Sequence, residues 1–245
     1  MSRNQPPAIN VQREFWNVHW QKADERKVIN SWTERRAQEI LRIIAALGIE
    51  RPRILDFGCG HGWFTERLAT VGDAQGIDLS PQAIAIASAR RPDIKFTAGD
   101  IYGTALPQNY FDVVVSQEVI SHVEDQPKYI ARAASVLKPN GYLVITTGNR
   151  FVIDRLGDVG WYRYPAEHIE QELTRGEFKR LLAPAFKILS LRSIIPHGTR
   201  GILRLINSYK LNAVVGTLVG AETLNHAKER AGLGWQFIAL AQKRA

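Results

Sequence analysis

The chain has 245 residues, 45% hydrophobic and 23% charged, a length and balance that support a sizeable core and exclude a disordered tract. No apolar run approaches the roughly 20 residues that span a bilayer, and the first ten residues, polar with two prolines, lack the apolar stretch of a secretory leader. The net charge of +8 divides into +3 over residues 1–52, −4 over 53–173 and +9 over 174–245, so an acidic partner would be sought in the C-terminal third. Solvated helix faces explain that excess equally well, and without a long Lys/Arg block nucleic acid is not the expected partner. The lone Cys59 excludes an intrachain disulfide, and the cytoplasm is the expected location.

In chain order, Phe15, Trp16 and Trp20 form an aromatic N-terminal segment. Residues 34–47 carry Ile40, Leu41, Ile44 and Leu47 at helical spacing and are closed by Gly48, which predicts an amphipathic helix. Short apolar runs at 53–57, 74–78, 94–98, 111–116 and 142–147 predict strands. Helical segments at 62–70, 81–90 and 127–137 lie between most of them, and the span before the fourth strand reads as mostly loop. That alternation predicts right-handed crossovers and a mainly parallel sheet covered on both faces. Residues 148–173 then form a long connection containing Trp161, Tyr162, Tyr164 and His168. Thr174 with Glu177 makes a capping box for the next helix. Residues 186–195 and 235–241 read as two further strands, and 197–233 as helices in which Arg200, Arg204 and Lys210 alternate with apolar clusters. These helices are expected at the mouth of the active site or at a subunit contact.

The stretch Ile54-Leu55-Asp56-Phe57-Gly58-Cys59-Gly60-His61-Gly62-Trp63 takes an apolar strand straight into a glycine-rich turn and a helix. Glycines let a backbone turn sharply and approach a ligand closely. The dinucleotide fingerprint would need Gly at position 63, where Trp63 stands, and no Gly-Lys-Ser/Thr follows to make a P-loop. Asp56, Asp78 and Asp100 stand at successive predicted strand ends. Alone, the turn could be merely tight, Asp78 could cap a helix and Asp100 could terminate a strand. Together and in order they point to a ligand lying across the carboxyl ends of the strands.

This stretch resembles the first motif of the class I S-adenosylmethionine-dependent methyltransferases, an acidic residue followed by Gly-x-Gly-x-Gly. The resemblance covers residues 50–150 closely, through Phe111-Asp112-Val113-Val114-Val115-Ser116-Gln117-Glu118 and Leu137-Lys138-Pro139-Asn140-Gly141. Residues 111–149, with Asn149-Arg150 after the fifth strand, are most similar to ubiquinone-pathway O-methyltransferases. The C-terminal part departs from them, so the cofactor is carried over and the quinone substrate is not. The implied fold is α/β, a doubly wound, mainly parallel seven-stranded sheet of the Rossmann-like methyltransferase type. A single domain is expected: an N-terminal helical cap over 1–50, a cofactor core over 51–150, an aromatic lid over 151–173, and a C-terminal part over 174–245 with a helical insert at 197–233. By resemblance Asp56 stands near the cofactor's amino group, and Gly58 and Gly60 let the backbone pass under its methionine portion. Asp78 takes the ribose hydroxyls, and Asp100 stands beside the adenine with Ile101 against the ring. Cys59, Leu79 and Gln117 in the same stretches, and Trp16 from the segment that folds over the cofactor, complete the expected contacts.

His122, after the fourth strand, is the candidate general base, with a loop-holding histidine as the bland alternative. His168 is placed on the lid, facing the substrate or merely on the surface. His61 reads as a binding-loop residue, and His19, His197 and His226 lack a supporting motif. The aromatic residues at 15, 16, 20, 161, 162 and 164 would enclose a planar or apolar acceptor. A single cysteine inside the glycine loop argues against a catalytic thiolate, no Asn/Asp-Pro-Pro-Tyr motif is present, and nothing near Asn149 supplies the carboxylates of a metal triad. The expected reaction is therefore a metal-independent transfer to O or N of a small molecule, with a homodimer as a possible assembly. Two alternatives stay open: a nucleic-acid or protein methyltransferase using the basic C-terminal region, and a non-catalytic cofactor-binding subunit.

Overall fold

The computed structural model describes residues 7–22, 29–156 and 168–244. Its strands are β1 Arg53–Phe57, β2 Asp73–Asp78, β3 Lys95–Ala98, β4 Phe111–Gln117, β5 Leu137–Gly148, β6 Phe186–Pro196 and β7 Gly234–Lys243. They hydrogen-bond into one seven-stranded sheet in the order β3-β2-β1-β4-β5-β7-β6. The first five strands are mutually parallel, and β7 runs antiparallel to both β5 and β6. The order reverses at β1, which pairs with β2 on one side and β4 on the other. Such a switch point opens a crevice beyond the carboxyl ends of the strands.

The helices are α1 Ile9–Lys22, α2 Ser31–Ala45, α3 Trp63–Leu68, α4 Pro81–Arg90, α5 Gln126–Val136, α6 Arg150–Ile153, α7 Arg175–Leu182, α8 Ile202–Ile206, α9 Tyr209–Val219 and α10 Ala221–Arg230. Side chains alternate across a strand, so the sheet feeds two cores. Leu55, Phe57 and Val114 join Tyr129, Phe178 and Phe237 in one. Ile54, Val113 and Val115 join Ile40, Ile44, Phe64 and Leu68 in the other.

Several boundaries move for identifiable reasons. α2 starts at Ser31, ahead of the expected 34, because the Asn30 side chain accepts from the N–H groups of Trp32 and Thr33 while the Thr33 hydroxyl accepts from Asn30 N–H. This is a reciprocal cap with Thr where Glu or Gln is the usual signal. The Thr174–Glu177 box forms as expected. β5 begins at Leu137, directly after α5, since Leu137 pairs with Phe111 before the register shifts and Tyr142 takes up Val113. β7 runs to Lys243 because β6 pairs with it along its whole length. Of the expected lid, Trp161, Tyr162 and Tyr164 lie outside the described residues.

Candidate active site

A cavity of about 550 Å³ lies at the switch point, within the usual range for a small-molecule site. Its walls include Asp56, Gly58, Cys59, Gly60, Asp78, Leu79, Asp100, Ile101, Gln117, Trp16 and His122. The residues singled out from four separate strand ends and from the N-terminal segment thus meet at one place.

The glycine turn after β1 is tied to β2. The N–H groups of Gly58 and Cys59 both donate to the Ile77 carbonyl, at 2.8 and 3.0 Å. Gly60 N–H donates to Asp78 Oδ2 at 2.8 Å. Gly60 has φ +53, and a Cβ on it would stand 2.5 Å from the Trp20 ring. Only glycine serves where the turn is left-handed and an indole lies on its Cα.

Three carboxylates shape the cavity differently. Asp56 is buried, and its Oδ2 accepts from the Thr65 hydroxyl at 2.7 Å. Burial pushes its pKa up to about 7; the Thr65 hydrogen bond opposes this and the nearby Asp78 charge adds to it. Asp78 is raised by burial, against the backbone N–H groups of Ser80, Gly60 and Leu79 that favour the charged form. Both its oxygens are engaged, yet the carboxylate keeps acceptor capacity for a hydroxyl. Ser80, not Asp78, caps α4. Asp100 stands two residues past the end of β3, and its Oδ1 accepts from Tyr102 N–H at 3.0 Å. Cys59 is buried, and burial with the charges of Asp78 and Asp56 raises its thiol pKa, which leaves it a packing residue.

The two candidate histidines meet. His122 Nδ1 lies 3.0 Å from the Ile169 carbonyl and 2.8 Å from His168 Nε2. A carbonyl only accepts, so Nδ1 carries the proton and, in the neutral ring, Nε2 carries the lone pair. Burial lowers the His122 pKa, partly offset by the Ile169 contact. His168 is pushed down to about 3 by burial and by the His122 and His19 charges, so it is neutral and its Nε2 can accept from His122. His168 is buried beside His122, with its ring 4.4 Å from Phe15, and is not in the cavity wall. The structure sets it in contact with His122, where it can orient that ring.

α1 covers this end of the sheet. Trp16 and Trp20, and Phe15 and His19, are four residues apart and so share a helix face. Trp16 meets His122 edge-on at 5.3 Å, and Trp20 meets the buried His61 at 4.8 Å. The Ser80 hydroxyl donates to Asn17 Oδ1 at 2.7 Å and fastens α1 to the start of α4.

Sequence reasoning missed several cavity residues, among them His19 and Arg36. His19 lines the wall although no motif marks it. Arg36 is 8% exposed and donates from Nε to Gln117 Oε1 at 3.1 Å. Burial lowers its pKa, and the charge of Glu118 opposes that. The available signal was positional: Arg36 stands four residues before Ile40 and eight before Ile44, on the apolar stripe of α2. Glu118 holds φ +54 and accepts from the Thr146 hydroxyl at 2.6 Å. Asn149 is a structural residue, donating to the Gly232 and Gly234 carbonyls at 2.9 and 2.7 Å.

Comparison with known proteins agrees with this arrangement. A family model described as a methyltransferase domain matches residues 29–185. A ubiquinone biosynthesis O-methyltransferase of Azorhizobium caulinodans is 34% identical over 141 residues, covering 54% of this chain and 54% of that protein. The chain thus spans about half the length of the curated relatives it matches. A Pyrococcus horikoshii structure superposes with a TM-score of 0.65 at 15% identity, covering 94% of this chain and 99% of the other. The N-methyltransferase NodS of Bradyrhizobium japonicum, solved with S-adenosyl-L-homocysteine, superposes with a TM-score of 0.62 at 18% identity, covering 95% and 97%. The chain belongs to the methyltransferase-domain family, on the seven-stranded fold of the class I S-adenosylmethionine-dependent methyltransferases.

Proposed function

We propose that the protein transfers a methyl group from S-adenosylmethionine to O or N of a small-molecule acceptor, a hydroxyl oxygen being the favoured atom. The observation that carries this reading is a single cavity lined by Asp56, Asp78, Asp100 and His122 at the sheet's switch point. The residues fit the cofactor. Asp56 is a buried carboxyl with no cationic partner among the described residues, which an amino group would supply. Asp78 retains acceptor capacity for ribose hydroxyls, and Asp100 with Ile101 suits an adenine. Gly58, Cys59 and Gly60 would lie along the methionine portion, and Leu79, Gln117 and Trp16 would close the walls.

When bound, the cofactor supplies the electrophile, a methyl group on a sulfonium. The protein orients the acceptor, excludes water beneath α1 and accepts a proton. Holding two reactants in line can remove roughly 7–11 kcal/mol of barrier. His122 Nε2 is the proton acceptor, and His168 and the Ile169 carbonyl hold the ring. Arg36 in the wall favours an acceptor that carries or develops negative charge, such as a phenol or a ring bearing a carboxylate. The named activity of the curated relatives, O-methylation, supports the choice of atom. No residue of 174–244 lines the cavity, which argues against the alternative that uses the basic C-terminal region.

Among the described residues no helix is long and apolar enough to cross a membrane, and a cytoplasmic enzyme is the reading we adopt. Self-association is proposed through α9, which exposes Leu211, Val214 and Leu218 at helical spacing. The division into cap, core, lid and C-terminal part belongs to the same proposal.

The test is direct. Purified protein is incubated with S-adenosylmethionine and, in turn, phenols, phenolic acids and amines. S-adenosylhomocysteine and a singly methylated product are then sought by mass spectrometry. A phenolic product with His122-dependent yield is expected; cofactor binding without acceptor-dependent turnover in any class would sink the assignment.

A further inference from the structure

A second cavity of about 430 Å³ lies in the C-terminal insert, lined by Pro196, His197, Gly198, Thr199, Arg204, Asn207, Asn212, Asn225 and Lys228. No carboxylate is among these residues. Lys228 is 7% exposed, and its ammonium donates to Asn207 Oδ1 at 3.3 Å and Asn212 Oδ1 at 2.9 Å. An ammonium has three N–H donors, so one remains. Its only partners among the described residues are neutral amides, and burial lowers its pKa. A buried charge is ordinarily paired with an opposite one.

The rest of the wall is of the same kind. Arg204 makes no ion pair among the described residues and brings a guanidinium fork. Asn207 turns its amide N–H to the Gly198 carbonyl at 3.1 Å, which holds its oxygen toward Lys228. His197 Nε2 is buried with no hydrogen-bond partner among the described residues, its ring 5.3 Å from Trp32. Asn225 adds another amide. Two cations and several neutral donors around a polar hollow form a receptor for a compact oxyanion, and a guanidinium fork matches phosphate geometry.

We propose that this cavity binds a phosphate group, which closes the charge balance of Lys228. Beside it Ile202 and Leu205 of α8 and Tyr209 are exposed, so the phosphate can belong to a lipid headgroup or to a soluble phosphate ester. The proposal is independent of the methyl-transfer reading, and its test uses no turnover.

Thermal melting of the whole protein is compared in sodium phosphate and in sodium chloride at matched ionic strength and pH. With phosphate tenfold above its Kd, the wild type is expected to melt about 3–6 °C higher. Arg204→Gln and Asn225→Asp change exposed residues, and each should remove most of that rise; Lys228→Met should remove it entirely. In a second arm the protein is sedimented with phosphatidylcholine vesicles, with and without phosphatidylglycerol. Pelleting only with phosphatidylglycerol, lost in Arg204→Gln, assigns the phosphate to a lipid; a phosphate-dependent melt without pelleting assigns it to a soluble ester. Identical melts in the two salts together with no pelleting, or effects that Arg204→Gln and Asn225→Asp leave unchanged, overturn the proposal.

Discussion

Asp56 converts burial into a pH dependence. Its carboxyl, raised to about 7, is largely protonated in mildly acidic solution. A cationic amino group binds the carboxylate, so below that pKa the site must first lose a proton. The affinity for S-adenosylhomocysteine should therefore rise with pH by up to about tenfold per unit below the Asp56 pKa and level off above it. Calorimetry across that range checks this, and Asp56→Asn should bind weakly with the slope gone. The stability of the ligand-free protein should run the other way. A carboxyl raised on folding contributes stability that is full below the unfolded carboxylate range and is lost as pH rises through about 7. His122 makes the second residue-scale prediction. Its lowered pKa keeps Nε2 unprotonated at neutral pH, so kcat should fall only on the acid side of the ordinary imidazole range, about 6.5. His122→Asn should lower kcat by roughly 10²–10⁴-fold with cofactor affinity intact. His168→Ala should lower kcat less and leave the acid limb in place, because His168 orients the base and does not titrate in that range. An unchanged kcat in a folded His122→Asn would remove the base from the mechanism.

At the scale of elements, α1 serves the site and α10 serves the fold. α1 supplies wall and cover, with Trp20 against Gly60 and His61. Trp20→Ala should weaken cofactor binding by about 1–2 kcal/mol, the order expected for losing part of a buried aromatic contact, while the melting temperature changes little. A Kd equal to wild type would show that α1 covers nothing the ligand touches. α10 works at a distance. Its Glu229 is 2% exposed, accepts from Arg35 at 2.9 Å and from Ile195 N–H at 3.2 Å, and so joins the insert to α2 and β6. Arg35 is 41% exposed, which discounts the ion pair. Glu229→Ala should still cost about 1–3 kcal/mol through the orphaned buried donors, a fall of several degrees in Tm for a chain of this size. Cofactor Kd should stay near wild type, since no residue of the insert lines the cavity.

For the whole molecule, the sheet places chemistry at one end of β1, β2 and β4 and attaches the insert between β6 and β7 at the other edge. The separation leaves α9 with no buried residue and with Leu218 79% exposed. If two copies meet there, each covers the same stripe of its partner, as a two-fold contact requires. Leu218→Glu should then shift sedimentation from dimer to monomer while cofactor affinity is kept. A wild type that sediments as a monomer at high concentration would remove α9 from the assembly.

The order of strands and helices, the glycine turn and the three strand-end aspartates were legible in the sequence because each is a local matter. A period of two or 3.6, a glycine at a sharp turn and an acid at a strand end need only neighbouring residues to be recognised. Those local patterns carry the family resemblance, and it is the resemblance that proposes them as cofactor contacts. The tertiary structure alone decided what Arg36, His19 and His168 do. Arg36 reads as an ordinary helix charge until α2 packs beside β4 and Gln117 accepts its N–H. His168 stands 46 residues from His122, and only folding sets their nitrogens 2.8 Å apart. The buried Lys228 likewise owes its lack of a carboxylate to the way α8, α9 and α10 close around it. Contacts between residues far apart in the chain depend on how the elements pack, and short-range patterns carry no record of that.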